Sequence, residues 1–252
     1  MRVALFATCL VDGFFPEVGE SAVRVLRRLG CEVEFPPGQV CCGQPAWNAG
    51  HEADARRMAA ANVRAFAGCE HVVAPSGSCA AMIRAVYPAL FRDDPELGPE
   101  ACRLAARTYE FTEFLTKVLR ADLRRLGARL RGTIAYHASC HMARELGVRE
   151  APLQLLDQVE GLERRELERP DLCCGFGGVF SVKLPEAAEA MADDKLADFA
   201  ASGAECLVGA DTACLMHLRG RLRRTGGRAR VRHIAEVLDE ATRTESCGEG
   251  ER

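Results

Sequence analysis

Short apolar runs alternate with longer stretches of helical period along most of the chain, a pattern that predicts parallel strands joined by helices. Residues 3–8 read as a buried strand that runs out at Cys9. Residues 17–29 space Val18, Ala22, Val25, Leu26 and Leu29 three or four positions apart, with Gly30 as the stop. A second strand is predicted over 31–35, a turn at Pro36-Pro37-Gly38, a helix over 52–66 and a third strand over 72–74. Pro75-Ser76-Gly77-Ser78 reads as its exit loop, with Cys79 at the head of the next helix. Residues 92–128 look helical, punctuated by Pro95 and Pro99. The alternation then resumes. Strands are predicted over 133–138, 162–167 and 205–208, and helices from Cys140 to Leu156, over 185–201, from Leu215 and over 234–241.

Composition narrows the class without naming a function. With 48% hydrophobic and 27% charged residues and a net charge of −3, the chain has the make-up of an ordinary globular protein and no footprint for nucleic acid. No apolar run reaches the length of a membrane span, and the N-terminus turns polar too soon for a signal peptide, so a cytoplasmic location is expected. Thirteen cysteines change that plain picture. A reducing compartment discourages disulfides, and an odd number cannot pair completely within one chain. No C-x-x-C is present, which argues against zinc ribbons and thioredoxin-type dithiols.

The cysteines recur in register. Cys9 and Cys140 are 131 residues apart, Cys41 and Cys173 are 132 apart, as are Cys42 and Cys174, and Cys79 and Cys214 are 135 apart. The segments GCEHVVAPSGSC and GAECLVGADTAC align at the last of these offsets. The chain therefore reads as an internal duplication of a strand–helix unit. The fold expected is α/β: two pseudo-symmetric halves, each a small parallel sheet flanked by helices.

In such sheets ligands gather beyond the carboxyl ends of the strands, where Cys9, Cys79, Cys140 and Cys214 are placed. The two CCG stretches also follow strands. On an extended backbone Cys41 and Cys42 would face opposite ways; Gly43, free to take a positive φ, lets both turn toward one pocket, and Gly175 does the same for Cys173 and Cys174. Helix N-termini nearby offset the charge of clustered thiolates. Four thiolates suit zinc or an iron–sulfur cluster. Ligands scattered over about 70 residues per half favour iron–sulfur over zinc, whose sites are usually built on short chelating loops. Cys31, Cys69, Cys102 and Cys206 lie in apolar contexts and read as inert buried cysteines, and Cys247 as incidental.

These CCG repeats resemble the cysteine-rich domain shared by heterodisulfide reductase, the iron–sulfur subunits of glycolate oxidase and anaerobic glycerol-3-phosphate dehydrogenase, and lactate-utilisation protein A. The segments ATCLVDGFFPEVG, CCGQPAWNAG, PSGSCAAMI, CCGFGGVFSVK, AMADDK and RVRHIAEVL are similar to the last family and span nearly the whole chain. The resemblance implies an iron–sulfur protein that works with two partners, a ferredoxin-like iron–sulfur protein and a third protein, to oxidise L-lactate to pyruvate. It also implies ligands at Cys9, Cys41, Cys42 and Cys79 and at Cys140, Cys173, Cys174 and Cys214. Heterodisulfide reductase has a further cysteine three residues after the last in each half, where this chain has Met82 and His217. Its five-cysteine cluster does not carry over. Four-cysteine clusters of the 4Fe–4S type are expected, with His217 a possible additional ligand. The expected organisation is a first CCG repeat over 1–91, a helical connector over 92–130, a second repeat over 131–243 and a flexible tail over 244–252.

Other residues have two readings each. His137 and His141 flank Cys140 and can hydrogen-bond a cluster sulfur or relay a proton, or be satisfied by backbone at a strand end. Trp47 and His51 can line the pocket, with Trp47 favoured as core. Arg144 can anchor a carboxylate or a partner, with a solvated helix face favoured, and Lys183 can face the site or water. Gly175, Gly177 and Gly178 lack dinucleotide-fingerprint spacing and suit close packing of backbone against a cluster. The stretch RGRLRRTGGRARVR reads as a solvated face. The readings that compete with electron transfer are a structural zinc subunit and a thiol–disulfide reductase using the CCG cysteines.

Overall fold

The computed structural model describes residues 1–243; the expected tail at 244–252, with Cys247, lies outside the described residues. The first half runs through β1 (Arg2–Leu5), α1 (Cys9–Phe14), α2 (Pro16–Arg28), β2 (Glu32–Glu34), α3 (Gln44–Asn48), α4 (Glu52–Ala65), β3 (Val72–Ala74), α5 (Gly77–Ala81), α6 (Tyr87–Leu90), α7 (Leu97–Ala106), β4 (Thr108–Glu110) and α8 (Phe111–Glu113). π-Helical turns, Met82–Val86 and Phe114–Val118, follow α5 and α8, and a 3₁₀ turn, Leu123–Leu126, leads out. The second half runs through β5 (Arg129–His137), a π-helical turn His141–Glu145, α9 (Glu150–Leu156), β6 (Glu160–Arg165), α10 (Val179–Lys183), α11 (Pro185–Ala201), β7 (Cys206–Gly209), α12 (Thr212–Arg224), β8 (Arg230–His233) and α13 (Ile234–Ala241).

The chain folds into two four-stranded sheets, ordered β2-β1-β3-β4 and β6-β5-β7-β8, and every pairing is parallel. The orders are the same once the second half is mapped on the first. In each sheet the chain leaves the two central strands in opposite directions, so a crevice opens beyond their carboxyl ends. That crevice lies between β1 and β3 in one sheet and between β5 and β7 in the other.

The duplication reaches further than the sequence patterns suggest. The span 92–130, expected as a helical connector, contains β4, which pairs with β3 through Val72–Thr108, Val73–Tyr109 and Ala74–Glu110. It thus completes the first half's sheet. Likewise Arg230–His233, which begins at the end of the stretch expected to be a solvated arginine face, forms β8 beside β7, with Val231 buried. Both strands are too short, and too mixed in polarity, to show an apolar run of their own. The helix expected from Cys140 to Leu156 breaks into the π-helical turn and α9, separated at Gly147, whose φ is 67°.

One core joins the halves. Leu26 of α2, Phe111 and Phe114 around α8, Leu155 of α9 and Leu238 of α13 belong to a single buried cluster that also takes Val3 and Leu5 from β1 and Val208 from β7. Helix α2 packs on α13, and α8 packs on α9, so each half lends an element to its counterpart. Asp239 of α13 is buried at this junction and takes Arg24 Nε at 2.8 Å and Arg28 at 2.7 Å. Its charge is matched where water is excluded, which makes the pairing specific to this arrangement of the halves. No helix among the described residues is long and apolar enough to cross a membrane.

Candidate metal centre

Each half delivers its cysteines by the same local devices. Cys9 opens α1 directly after β1, and the hydroxyl of Thr8 caps that helix by accepting from Val11 N at 3.2 Å. Cys140 stands at the matching place after β5, where Ser139 Oγ accepts from Met142 N at 3.4 Å. Cys79 and Cys214 are each the third residue of the helices after β3 and β7. Helix α12 begins at Thr212, so Cys214 lies within its first turn rather than ahead of it. The first turn carries unpartnered N–H groups and the positive end of the helix dipole, an environment that favours thiolate.

The CCG stretches work as the glycine argument predicts. Gly43 and Gly175 have φ of 87° and 85°, where a side chain is strained. A Cβ on Gly175 would collide with the Ala188 carbonyl oxygen; on Gly43 the tightest contact would be 3.3 Å, to that of Ala55. The turns thereby press against α11 and α4, and both cysteines of each pair are directed inward. Gly175 N lies 3.4 Å from Cys173 Sγ and Phe176 N lies 3.5 Å from Cys174 Sγ, both donating to sulfur.

Seven of the eight cysteines (Cys9, Cys42, Cys79, Cys140, Cys173, Cys174 and Cys214) line one cavity of about 290 Å³. The eighth, Cys41, lies against it, its Sγ 3.4 Å from Cys9 Sγ. The two sheets therefore open onto the same space. Asp211 ties the halves there, accepting from Ala213 N at 3.1 Å in its own half and from Ser78 N at 2.7 Å in the other. Across the seam, a Cβ on Gly77 would come within 2.7 Å of Met142 Cβ.

The ionisation of the thiols follows from their crowding. Cys41 is drawn down to about 2 by the hydrogen bonds it shares with Cys42 and Cys9. Cys173 is drawn down to about 2 by those it shares with Cys140 and Cys174. Cys42 and Cys174 are pushed up, first by hydrogen bonding to the neighbouring thiolate and then by burial and repulsion. More charge on the sulfurs requires cations among them, which is the service a metal centre performs. The donor set thus fits a thiolate-bound metal or iron–sulfur group, with N–H groups already aimed at the sulfurs.

The histidines separate clearly. His137, at the end of β5, is 1% exposed, and neither ring nitrogen has a hydrogen-bond partner among the described residues. One of those nitrogens lies with Cys174 Sγ and Cys214 Sγ inside a group whose atoms are all within 4.8 Å of one another. Burial pushes its pKa down to about 3, so the ring is neutral. Leaving such a group unpaired costs about 1–3 kcal/mol. His141 has its Nδ1 3.7 Å from Cys140 Sγ and its Nε2 3.6 Å from Glu145. His217, named from the sequence as a possible extra ligand, has its Nε2 3.3 Å from the Ala188 carbonyl oxygen and is not among the residues lining the cavity. Trp47 is 37% exposed rather than core, and neither it nor His51 lines the cavity. Cys102, expected to be buried, is exposed.

Several supporting residues escaped the sequence reading. Asn62 of α4 accepts from Val40 N at 2.9 Å and donates to the Cys41 carbonyl at 3.1 Å and to Tyr87 Oη at 3.0 Å. Tyr87 Oη in turn donates to the Cys42 carbonyl at 2.9 Å. In the second half Lys195 donates to the carbonyls of Arg169 and Pro170, both at 3.1 Å, and Asp198 accepts from Glu168 N at 3.0 Å. Both Asn62 and Lys195 are fully buried on the apolar faces of their helices. A polar residue interrupting the stripe Ala55-Ala59-Val63, or Ala188-Ala192-Leu196-Phe199, was the signal available.

Comparison with known proteins agrees with this duplicated plan. A family profile described as "Cysteine-rich domain", of the CCG type, matches residues 3–84 and again 134–219. Proteins named lactate utilization protein A match over 239 residues, which is 95% of this chain and 99% of theirs: 52% identical in Geobacillus thermodenitrificans, 51% in Geobacillus kaustophilus and 49% in Bacillus subtilis. A crystal structure of a hypothetical protein from Helicobacter pylori shares the fold, with a TM-score of 0.66 at 9% identity over 97% of this chain and 49% of that one. With two cysteine-rich domains and close relatives along nearly its full length, the chain belongs to the lactate utilization protein A family.

Proposed function

We propose that this chain holds iron–sulfur centres, one on each cysteine quartet, and serves as an electron-transferring subunit in the oxidation of L-lactate to pyruvate. The observation that carries the reading is the pair of equivalent cysteine quartets opening onto one cavity between two matched sheets. The relatives' name, lactate utilization protein A, supports the metabolic setting. An iron–sulfur group supplies one-electron chemistry when bound. The chain's own part is to supply thiolates at Cys9, Cys41, Cys42 and Cys79 and at Cys140, Cys173, Cys174 and Cys214. The N–H groups of Gly175 and Phe176 donate to Cys173 and Cys174 sulfur and stabilise added negative charge there. The apolar side chains of Leu10, Phe176 and Val179 keep the cavity poor in water.

Ligand spacing and donor chemistry favour 4Fe–4S groups over zinc. Partner proteins bring and remove electrons, and a ferredoxin-like iron–sulfur protein together with a third lactate-utilisation protein fits that role. The setting is a reducing cytoplasm, where such thiols persist. The reading is tested by anaerobic reconstitution with iron and sulfide, followed by metal and sulfide assay. The wild type should be brown and loaded, and Cys42→Ser and Cys174→Ser should each lose about half of the iron. Full loading in both variants removes the ligand assignment. A colourless protein with stoichiometric zinc favours a structural subunit, and turnover of disulfides by metal-free protein favours a thiol reductase.

A further inference from the structure

We propose that His137 is a metal ligand of the second half, acting with Cys174 and Cys214, so that the two centres differ in donor set. The first is held by sulfur alone and the second by sulfur and imidazole nitrogen. The proposal rests on the reading above that the quartets hold metal.

The argument starts from the duplication. Cys9 and Cys140 are equivalent, and three residues before them stand Phe6 and His137. Phe6 is fully buried and stacks on Phe66, ring centroids 5.5 Å apart. The fold therefore accepts an apolar ring at this position, and packing alone gives no reason for imidazole in the second half. Burying a polar ring without partners is unfavourable unless it acquires one. Among the described residues, the ligand-type groups gathered tightly with it are the sulfurs of Cys174 and Cys214, and through them whatever those sulfurs bind. A buried imidazole with an unpartnered nitrogen beside two cysteines is a common set of metal donors. In the first half, no three ligand-type side chains come together as tightly among the described residues. His141 also lines the cavity, but it is the poorer candidate, because its nitrogens already face Cys140 and Glu145 and its side chain is partly exposed.

The test uses the full chain carrying Cys42→Ser, so that the second centre dominates, reconstituted anaerobically with iron and sulfide and then reduced. Pulsed electron paramagnetic resonance is recorded on protein grown with ordinary or ¹⁵N-labelled histidine. Ligation by His137 gives a strongly coupled nitrogen that responds to the label, persists in His141→Gln and disappears in His137→Phe, the residue the first half uses. Iron release to a chelator should be about tenfold faster or more in His137→Phe. Loaded protein with only a weakly coupled histidine nitrogen, or with none, overturns ligation, and so does a coupling that survives His137→Phe. Faster iron release without the labelled coupling also overturns it, since loosened packing alone would produce that. The labelled measurement on the parent protein stands even if His137→Phe folds poorly. Protein that takes up no iron and sulfide brings down the reading above and this proposal together, whereas loading without histidine coupling brings down this proposal alone.

Discussion

Behind the four cysteines of the first half lies a wall of aromatic rings, Phe6 stacked on Phe66, with Asn62 and Tyr87 hydrogen-bonded to the backbone of the CCG turn. Behind those of the second half lie His137 and a buried lysine, and the turn continues through Gly177 and Gly178. Strand order, cysteine placement and helix starts are held in common, while the residues that surround the sulfurs have diverged. The duplicated scaffold thus fixes where the thiols converge, and the second layer decides how each set of thiols behaves. Differences between equivalent positions are accordingly the most informative places to perturb.

The largest contrast is expected at the CCG glycines. Both have φ near 85°, so alanine at either adds backbone strain of about 1–2 kcal/mol. At Gly175 the new Cβ would also collide with the Ala188 carbonyl oxygen and meet Met191 Cβ at 2.9 Å, against backbone of α11 that cannot yield cheaply. Gly175→Ala should therefore cost about 3 kcal/mol or more, and Gly43→Ala about 1–2 kcal/mol. Denaturant unfolding of the two variants checks this. Equal losses would mean that the second turn is free to move off α11.

A smaller contrast concerns pH and the fourth strands. Glu110 ends β4 and caps α8, accepting from Thr112 N at 2.8 Å and Glu113 N at 3.1 Å; His233 ends β8 and caps α13, accepting from Ala235 N at 3.1 Å. Burial raises Glu110 from 4.5 to about 8 and lowers His233 from 6.5 to about 4. The folded chain keeps the Glu110 proton where the unfolded chain has lost it. That contribution is complete below about pH 4.5 and is lost as pH rises toward 8. For His233 the unfolded chain takes up a proton that the folded chain refuses. Its contribution is complete above about pH 6.5 and is lost as pH falls toward 4. Each amounts to a few kcal/mol at about 1.4 kcal/mol per pH unit. Stability measured from about pH 4 to pH 9 should lose its alkaline slope in Glu110→Gln and its acid slope in His233→Gln. An unchanged slope in either variant removes that residue from the account.

These contrasts were unequally legible in the sequence. The cysteine register, the paired CCG turns and the central strands could be read directly, because apolar runs and repeated offsets are local signals. The edge strands β4 and β8 could not, since Thr108–Glu110 and Arg230–His233 owe their extended shape to pairing with β3 and β7 rather than to their own composition. For the same reason the first sheet's fourth strand went unread in the span 92–130, expected to be a helical connector. His137 is visibly close to Cys140 in the sequence, but two unpartnered nitrogens are a property of its surroundings, visible only when the neighbouring strands and helices are in place. Asn62 and Lys195 were legible in principle as polar breaks in apolar helix faces. Trp47 and Cys102 misled because an apolar residue type says little about exposure at any one position.

The smallest contrast lies in the caps that aim Cys9 and Cys140. Thr8 Oγ1 accepts from Val11 N at 3.2 Å at the head of a regular α-helix, whereas Ser139 Oγ accepts from Met142 N at 3.4 Å at the head of a π-helical turn. Loss of a good N-cap costs about 1 kcal/mol, so Thr8→Ala should destabilise by roughly that amount and Ser139→Ala by a few tenths. The longer bond and the wider turn leave less to lose in the second half, whose cysteine is held instead by the packing of Met142 against Gly77 across the seam. Thermal unfolding of the two alanine variants gives the order. A larger loss in Ser139→Ala would show that the hydroxyl, and not the seam, positions Cys140, and the two halves would then hold their first cysteine in the same way after all.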